Sequence, residues 1–351
     1  MLYQTSNPHG GDLHGKNIKI DFSVNTNPLG TPPSVIRSVE GSARRLCQYP
    51  DPECRELAAA ISASEKVPPE TILCGCGAAE LIYTYCGAIN AGSALLTAPT
   101  FSEYAAALDA AGTQVIYYPL RDVKGFALTD EFLDELNKTA CKVIFLCNPN
   151  NPTGLLIPQK LLERTLEICC QRNIRLFIDE CFLDLSDAGQ PASLSKYIQT
   201  YPNLFILRAF TKTYGMAGLR LGYCLTGDAA LLSAMSRRMQ PWNVSLPAQA
   251  AGIAALREKD FLGNARKLIR QERSWLSEKL DKLGFQVCPS QANYLLFKSS
   301  MEIYAPLLEQ GILIRDCSNY LGLGPGWYRA AVRTRAENQQ LIAALTQILA
   351  V

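Results

Sequence analysis

The chain has 351 residues, of which 48% are hydrophobic and 19% are charged, and its formal net charge at pH 7 is +2. A chain of this length and composition can bury a large core and is typical of a globular protein with one large and one smaller domain. The nearly balanced charge argues against a nucleic-acid partner or a membrane surface held by bulk electrostatics, and no apolar run reaches the length of a membrane span.

The 13 cysteines are an odd number and are scattered through predicted strands and helices. Cys74 and Cys76 form only a C-x-C, and Cys169 and Cys170 are adjacent, so neither pair has the spacing of a zinc site. Because unpaired cysteines suit a reducing compartment and no leader pattern opens the chain, we predict a cytoplasmic, soluble protein without a bound metal.

Glycine, proline and asparagine recur near the amino terminus and predict an N-terminal arm with turns over residues 1–40. Over residues 41–240, short apolar runs alternate with segments of helical period, which predicts a large α/β domain whose mostly parallel sheet is covered by helices. Over residues 241–351, long helical segments surround short strands and predict a smaller α+β domain. The predicted strands are 94–97, 114–118, 142–147, 174–178, 204–207, 222–225, 294–297, 312–315 and 328–333. The predicted helices are 78–90, 102–111, 158–171, 247–257, 259–283 and 336–350.

Polar motifs follow several strands, at the sheet edge where ligands of α/β proteins bind. The turn Gly75-Cys76-Gly77-Ala78 leads into a helix whose free amides can hold a phosphate. It also begins like a dinucleotide fingerprint, but the third glycine is missing. Asn151 follows the strand 142–147 and could simply be a turn residue before Pro152. Asp179 follows the strand 174–178 and could instead cap a helix or form an ion pair.

Lys212 lies between a predicted buried strand, 204–207, and the small apolar segment 216–219, with Thr211 before it and Arg220 after it. Most lysines are solvated, but a lysine between two such segments is not expected to point freely into water. An amine beside a hydroxyl and a cation suits pyridoxal 5′-phosphate, whose aldehyde would form a Schiff base with the lysine and whose phosphate would contact the other two residues. Asp179 would keep the pyridine nitrogen of such a cofactor protonated.

Three motifs coincide in order and separation: Asn151-Pro152-Thr153-Gly154, Asp179-Glu180, and the run from Thr211-Lys212 to Arg220-Leu221-Gly222. Together they resemble the fold-type I aminotransferases related to histidinol-phosphate aminotransferase, and the similarity covers essentially the whole chain. The resemblance implies a homodimer with active sites at the subunit interface, in which Lys212 is the Schiff-base lysine, Asp179 the pyridinium partner and Asn151 the phenolate partner. The other cofactor contacts that it implies are Gly77, Ala78, Thr211 and Arg220 at the phosphate, Phe101 on the ring, and Tyr49 reaching the phosphate from the partner subunit.

Two positions depart from the usual family pattern. Phe182 stands where many members have a tyrosine, and Ala209 stands where many have a serine near the phosphate. Phe101 would also be compatible with ordinary core packing. Neither departure threatens cofactor binding, but both move the chain away from a typical aminotransferase.

Some segments are most similar to the threonine-phosphate decarboxylases of cobalamin biosynthesis; they are Asn7-Pro8-His9-Gly10-Gly11, 21–30, Phe182, 315–320 and 328–334. The implied reaction is decarboxylation of L-threonine O-3-phosphate to (R)-1-aminopropan-2-yl phosphate. The phosphorylated amino acid would be held by Arg329 at its carboxylate and by Arg315 and His9 at its phosphate, with Asn27 nearby. Arg333 would join either group or form a surface ion pair. The alternatives are a histidinol-phosphate aminotransferase and a non-catalytic regulatory domain that binds the same cofactor.

Overall fold

The computed structural model describes residues 9–350, so Asn7 and Pro8 of the amino-terminal motif lie outside the described residues. The strands are β1 Ile20–Asp21, β2 Ile72–Gly75, β3 Ser93–Ala98, β4 Gln114–Pro119, β5 Val143–Cys147, β6 Arg175–Asp179, β7 Leu204–Ala209, β8 Gly222–Thr226, β9 Gln286–Val287, β10 Tyr294–Lys298, β11 Ile312–Leu313, β12 Arg315–Asp316 and β13 Trp327–Ala331. The helices are α1 Pro33–Ser42, α2 Arg55–Glu65, α3 Gly77–Ile89, α4 Glu103–Ala110, α5 Glu131–Lys138, α6 Gln159–Gln171, α7 Phe210–Thr213, α8 Ala229–Ser236, α9 Leu246–Leu256, α10 Phe261–Lys282, α11 Tyr304–Glu309 and α12 Arg335–Leu349.

The central sheet has seven strands in the order β2-β8-β7-β6-β5-β3-β4. All neighbouring pairs from β7 to β4 are parallel, whereas β8 runs antiparallel to both β7 and β2. The predicted α/β class with a mostly parallel sheet is therefore confirmed, and β8 is the strand that departs from parallel pairing. The edge strand β4 is partly exposed along its length, as expected for a strand with a neighbour on one side only.

The strands at the centre of this sheet are mostly apolar because both of their faces are covered. Along β5, Phe145 packs into one cluster with Tyr85 of α3, while its neighbour Ile144 packs on the opposite face with Leu162 of α6. Every residue of β5, β7 and β8 is buried. Helices on both faces thus hold β5, β6 and β7 rigidly side by side, with their carboxyl ends at one edge.

A second, antiparallel sheet follows in the order β12-β13-β10-β9, and α10 and α12 pack on it. The capping box of Thr334 and Glu337 starts α12. The amino-terminal segment joins this part of the molecule, because β1 pairs in parallel with β11 and Phe22 is buried in the same apolar cluster. The domain boundaries at residues 40 and 240 stay a prediction.

Over residues 9–350, no helix is both long and apolar enough to cross a membrane. Within the same range, His, Cys, Asp and Glu side chains form no cluster that could hold a metal ion.

Candidate active site

A cavity of about 350 Å³ lies at the carboxyl ends of β5, β6 and β7, a volume in the usual range for small-molecule sites. Parallel strands end at the same edge of a sheet, so residues far apart in the sequence meet there. The predicted site residues that line the cavity are His9, Ala78, Phe101, Asn151, Asp179, Thr211, Lys212, Arg220, Arg315 and Arg329.

Lys212 lies in α7, the short helix that follows β7, and its Nζ is 5.9 Å from the ring centroid of Phe182. Burial, together with the positive charges of Arg329 and Arg220, lowers the pKa of Lys212 to about 8. A larger fraction of this amine is therefore neutral near pH 8 than for a solvated lysine, and a neutral amine is the form that attacks an aldehyde.

Asn27 forms hydrogen bonds to the backbone around this lysine. Its N–H donates to the carbonyl oxygen of Lys212 at 3.0 Å, and its Nδ2 donates to the carbonyl oxygen of Thr213 at 2.9 Å. Asn27 is 3% exposed and does not line the cavity. The structure therefore places it as a support of the lysine turn and not at a position that contacts a ligand in the cavity.

Asp179 ends β6 and is 6% exposed. Its Oδ1 accepts a hydrogen bond from the Cys181 N–H at 2.8 Å, and its Oδ2 accepts one from the Tyr104 hydroxyl at 2.6 Å. Burial raises the pKa of Asp179, and the hydrogen bonds from Cys181 and Tyr104 oppose that rise. Among residues 9–350, no cation forms an ion pair with this carboxylate.

A buried anion that faces a cavity without a paired cation is costly unless a ligand supplies the positive charge. A protonated pyridine nitrogen supplies such a charge, so Asp179 fits the cofactor that the sequence predicts. The cofactor would be held by Lys212 at its aldehyde and by Asp179 at its ring nitrogen.

The amino end of α3 forms the opposite side of the cavity, where Ala78 and Ala79 line it. The first amides of a helix lack intrahelical acceptors and attract anions. Gly77 has φ of +82°, and a Cβ there would lie 2.6 Å from Nη2 of Arg220, so only glycine lets the guanidinium approach this turn. With Thr211 also at the cavity, these groups can hold a phosphate.

On the other side of the cavity, Arg329 of β13 is 6% exposed. It donates to Oδ1 of Asn151 and, at 2.9 Å, to the carbonyl oxygen of Ser23. The first of these bonds occupies the amide oxygen of Asn151 and leaves its Nδ2 available to donate toward a phenolic oxygen.

Arg315 lies directly opposite Arg329 in the antiparallel pair β12 and β13. Like charges at such positions repel, so an anion between or beside them would relieve that repulsion. Arg315 also packs over the Tyr320 ring, 5.4 Å from its centroid, and donates to Oδ1 of Asn319 at 2.7 Å. The two arginines give this side of the cavity a strongly positive character.

His9 lies at the same cavity, and its Nε2 is 2.8 Å from Oε1 of Glu103. Glu103 also accepts a hydrogen bond from the Tyr83 hydroxyl at 3.0 Å. The hydrogen bond from His9 contributes most to lowering the pKa of Glu103, so this residue stays a carboxylate that can orient the imidazole. The His9 ring centroid is 6.0 Å from that of Phe101.

Two further predicted residues lie elsewhere. Tyr49 is 78% exposed and stacks on Trp242 with 4.7 Å between ring centroids, outside the cavity of its own subunit. Arg333 does not line the cavity, because its Nε donates to Glu337 at 2.7 Å and its Nη1 to the Asp21 carbonyl oxygen at 3.2 Å. The ion pair that was the alternative for Arg333 is the contact that the structure contains.

A larger cavity, of about 590 Å³, surrounds Arg208 on β7 and contains none of the predicted site residues. Arg208 is buried there between Glu180, at 3.1 Å, and Asp184, at 3.0 Å. This cavity contains an internal ion network that anchors β7, so size alone does not identify the active site.

Sequence patterns did not point to Tyr104 or Glu103, and they did not predict a contact for Ser23. Tyr104 contacts a carboxylate 75 positions further along the chain, and Glu103 contacts a histidine 94 positions before it. The position of Tyr104 in a predicted helix close to Phe101 predicts burial. It does not predict a specific hydrogen-bond partner so far away along the chain.

Comparisons with known proteins show the family to which the chain belongs. The family model "Aminotransferase class I and II" matches residues 17–345. Threonine-phosphate decarboxylase from Salmonella typhimurium is 36% identical over 334 residues, which covers 94% of this chain and 91% of that protein. Histidinol-phosphate aminotransferase from Desulfitobacterium hafniense is 35% identical over 341 residues, covering 94% and 92% of the two chains. The structure of histidinol-phosphate aminotransferase from Sinorhizobium meliloti in complex with pyridoxal 5′-phosphate superposes with a TM-score of 0.81 at 25% identity, covering 95% of this chain and 91% of that one.

Proposed function

Because the chain belongs to the class I and II aminotransferases, which are pyridoxal 5′-phosphate enzymes, we propose that its reaction is the decarboxylation of L-threonine O-3-phosphate. The product would be (R)-1-aminopropan-2-yl phosphate, for cobalamin biosynthesis. The observation that carries the proposal is the pair of arginines, Arg315 and Arg329, at a cavity that also contains His9. A substrate with a carboxylate and a phosphate matches these cations in number and sign.

The two anion-binding groups fix the orientation of the substrate. Arg329 binds the carboxylate, for which the planar guanidinium suits a bidentate pair, while Arg315 and His9 bind the phosphate. Holding the substrate at both ends fixes the rotation about its α-carbon, and that rotation decides whether the carboxylate or the α-hydrogen leaves.

The cofactor, when bound, accepts the electron pair that the departing group leaves on the α-carbon. Asp179 would hold a positive charge at the ring nitrogen of the cofactor, and Asn151 Nδ2 would donate to its phenolic oxygen. The Nζ of Lys212 has a pKa near 8, so it can both accept and donate a proton close to neutral pH. Phe182 borders the cavity without a hydroxyl group, so it would add no hydrogen bond to the phenolic oxygen.

Incubation of the holoenzyme with threonine phosphate, without any keto acid, is expected to release carbon dioxide over many turnovers. The bound cofactor should keep the absorbance of its aldehyde form. Threonine without the phosphate is the matched control substrate, and its kcat/KM should be lower by about 100-fold or more because the contacts of the phosphate with Arg315 and His9 are lost.

The histidinol-phosphate aminotransferase from Desulfitobacterium hafniense, at 35% identity, makes transamination the second candidate. With histidinol phosphate alone, that reaction would leave the cofactor in its amine form. With 2-oxoglutarate added, it would form glutamate and restore the aldehyde form. Transamination with these substrates, together with no carbon dioxide from threonine phosphate, would overturn the proposed decarboxylation. A protein that binds the cofactor and turns over neither pair would point to the regulatory alternative.

We also propose that the chain forms a homodimer in which Tyr49 contacts the cofactor phosphate bound to the partner subunit. Tyr49 and Trp242 form an exposed aromatic pair. The next residue, Asn243, donates to Glu80 at 2.6 Å, and Glu80 accepts the Cys76 N–H at 2.6 Å. These hydrogen bonds connect the segment that contains Trp242 to the turn at the amino end of α3, where a phosphate would bind.

Replacing Tyr49 by phenylalanine is expected to raise the dissociation constant for pyridoxal phosphate by about tenfold or more, because a hydrogen bond to a charged group is lost. Tyr117→Phe, at a tyrosine that is 42% exposed on β4, is the matched control and should leave this constant unchanged. Mixed with Lys212→Ala subunits at limiting cofactor, Tyr49→Phe subunits should regain activity, since each mixed dimer has one intact site. A monomer in sedimentation experiments, or no recovery on mixing, would contradict the shared site.

A further inference from the structure

We propose that Tyr104 is a positioning residue for the pyridine nitrogen of the cofactor, because its hydroxyl group keeps the Asp179 carboxylate oriented and ionised. The hydroxyl donates to Oδ2 of Asp179 at 2.6 Å, and both residues line the cavity. This inference concerns the cofactor of the family and does not depend on which substrate is decarboxylated or transaminated.

The phenol ring has no room to turn away from the carboxylate. Tyr104 is completely buried in α4, and its ring centroid is 5.6 Å from that of Phe145 and 6.0 Å from that of Phe177. The edge of Phe101 packs against it at 5.5 Å with the rings at 81°. Rings held on several sides keep the hydroxyl in place, so the hydrogen bond is preorganised.

The second oxygen of the carboxylate is held as firmly as the first. Oδ1 of Asp179 accepts the N–H of Cys181 at 2.8 Å, within the turn that follows β6. Two donors on different oxygens fix the plane of the carboxylate. Its remaining lone pairs are free to accept hydrogen bonds from other groups, including a ligand in the cavity.

The groups that face Asp179 from the surrounding elements are Tyr104 of α4, Cys147 of β5, Cys181 of the turn after β6, Arg208 of β7 and Tyr294 of β10. Burial raises the pKa of both thiols and of both phenols, so these four groups are uncharged at neutral pH. Arg208 is the cation among these groups, and it forms its ion pairs with other carboxylates.

Neutral donors therefore carry much of the stabilisation of the ionised carboxylate. Burial raises the pKa of Asp179, and the Tyr104 hydroxyl opposes that rise together with Cys181. Without this hydroxyl, Asp179 would take up a proton at a higher pH and would then no longer attract a protonated pyridine nitrogen.

The variant Tyr104→Phe keeps the ring and removes only the hydroxyl. The dissociation constant of the dimeric apoprotein for pyridoxal phosphate is expected to rise about tenfold to hundredfold, measured by the absorbance of the bound cofactor. Affinity falls on acidification as Asp179 becomes protonated, and in this variant the midpoint of that fall should move to higher pH than in the wild type.

Tyr85→Phe is the matched control. Tyr85 lies in the same aromatic cluster, 5.0 Å from Phe177, but its hydroxyl is buried without a hydrogen-bond partner among the described residues. Its removal is expected to change the cofactor affinity by less than about threefold and to leave the pH midpoint in place.

A second comparison separates positioning from a general loss of structure. In an Asp179→Asn background there is no carboxylate to keep ionised, so adding Tyr104→Phe should have much less effect on cofactor affinity than it has alone. The proposal is overturned if Tyr104→Phe behaves like Tyr85→Phe in affinity and pH midpoint. It is also overturned if the effect of Tyr104→Phe is equally large with Asp179 and with asparagine. Either result leaves the test of the substrate, by carbon dioxide release, unaffected.

Discussion

Substitution of Lys212 by alanine is expected to lower kcat by about 10⁴-fold or more and to abolish covalent attachment of the cofactor. Lys212 is the lysine at the cavity, and its amine, with a pKa near 8, is the group suited to react with the aldehyde. The measurement is borohydride reduction of the holoenzyme followed by mass spectrometry of the peptide that contains this residue. The wild type should carry one added cofactor there and the variant none.

Lys196→Ala provides the control for this experiment. Its side chain is 57% exposed, lies 3.6 Å from Glu163 and does not line the cavity. Its loss should leave both kcat and the labelled peptide unchanged. A Lys212→Ala protein that still acquires the borohydride-stable label at another position would refute the assignment of the attachment site.

Replacement of Arg329 by lysine is expected to lower kcat/KM for the amino acid substrate by about 100-fold to 1000-fold. Lysine keeps the charge but cannot form the bidentate pair with a carboxylate, and it would not reproduce the bonds from Arg329 to Asn151 and to Ser23. Steady-state kinetics check the effect, and the cofactor affinity of the variant should stay within about threefold of the wild-type value.

Arg333→Lys is the matched control, because Arg333 lies four residues further along the chain and pairs with Glu337 outside the cavity. Its kcat/KM is expected to stay within about threefold of the wild-type value. Equal losses in both variants would mean that Arg333 also contacts the substrate. An unchanged Arg329→Lys enzyme would remove Arg329 from the substrate site.

Most of the secondary structure was predictable because its signals are local. The long apolar periodicity of α9, α10 and α12 placed these helices within two residues of their observed bounds. The strand β2 was not among the predicted strands, because its apolar run has only three residues before Gly75. The antiparallel direction of β8 could not be predicted either, because an apolar run is the same in both directions.

The core of the site was predictable for a topological reason. Asn151, Asp179 and Lys212 each follow a predicted strand, and parallel strands bring their carboxyl ends to one edge. Tyr104 and Glu103 could not be found in this way, since their partners are set by how α4 packs on the sheet. Asn27 was predicted to lie near the substrate phosphate, but it contacts the backbone of Lys212 instead. The sequence pattern did not specify the direction of its side chain.

The amino-terminal segment is part of the cavity wall. His9, Gly10 and Ser23 all border the cavity, and a Cβ at Gly10 would lie 2.4 Å from the carbonyl oxygen of Ser23. Because Gly10 lies so close to this carbonyl oxygen, a larger side chain at position 10 would not fit without a shift of the backbone. A side chain at position 10 would push against the carbonyl oxygen that accepts a hydrogen bond from Arg329, so a change in this segment would reach the guanidinium without touching it.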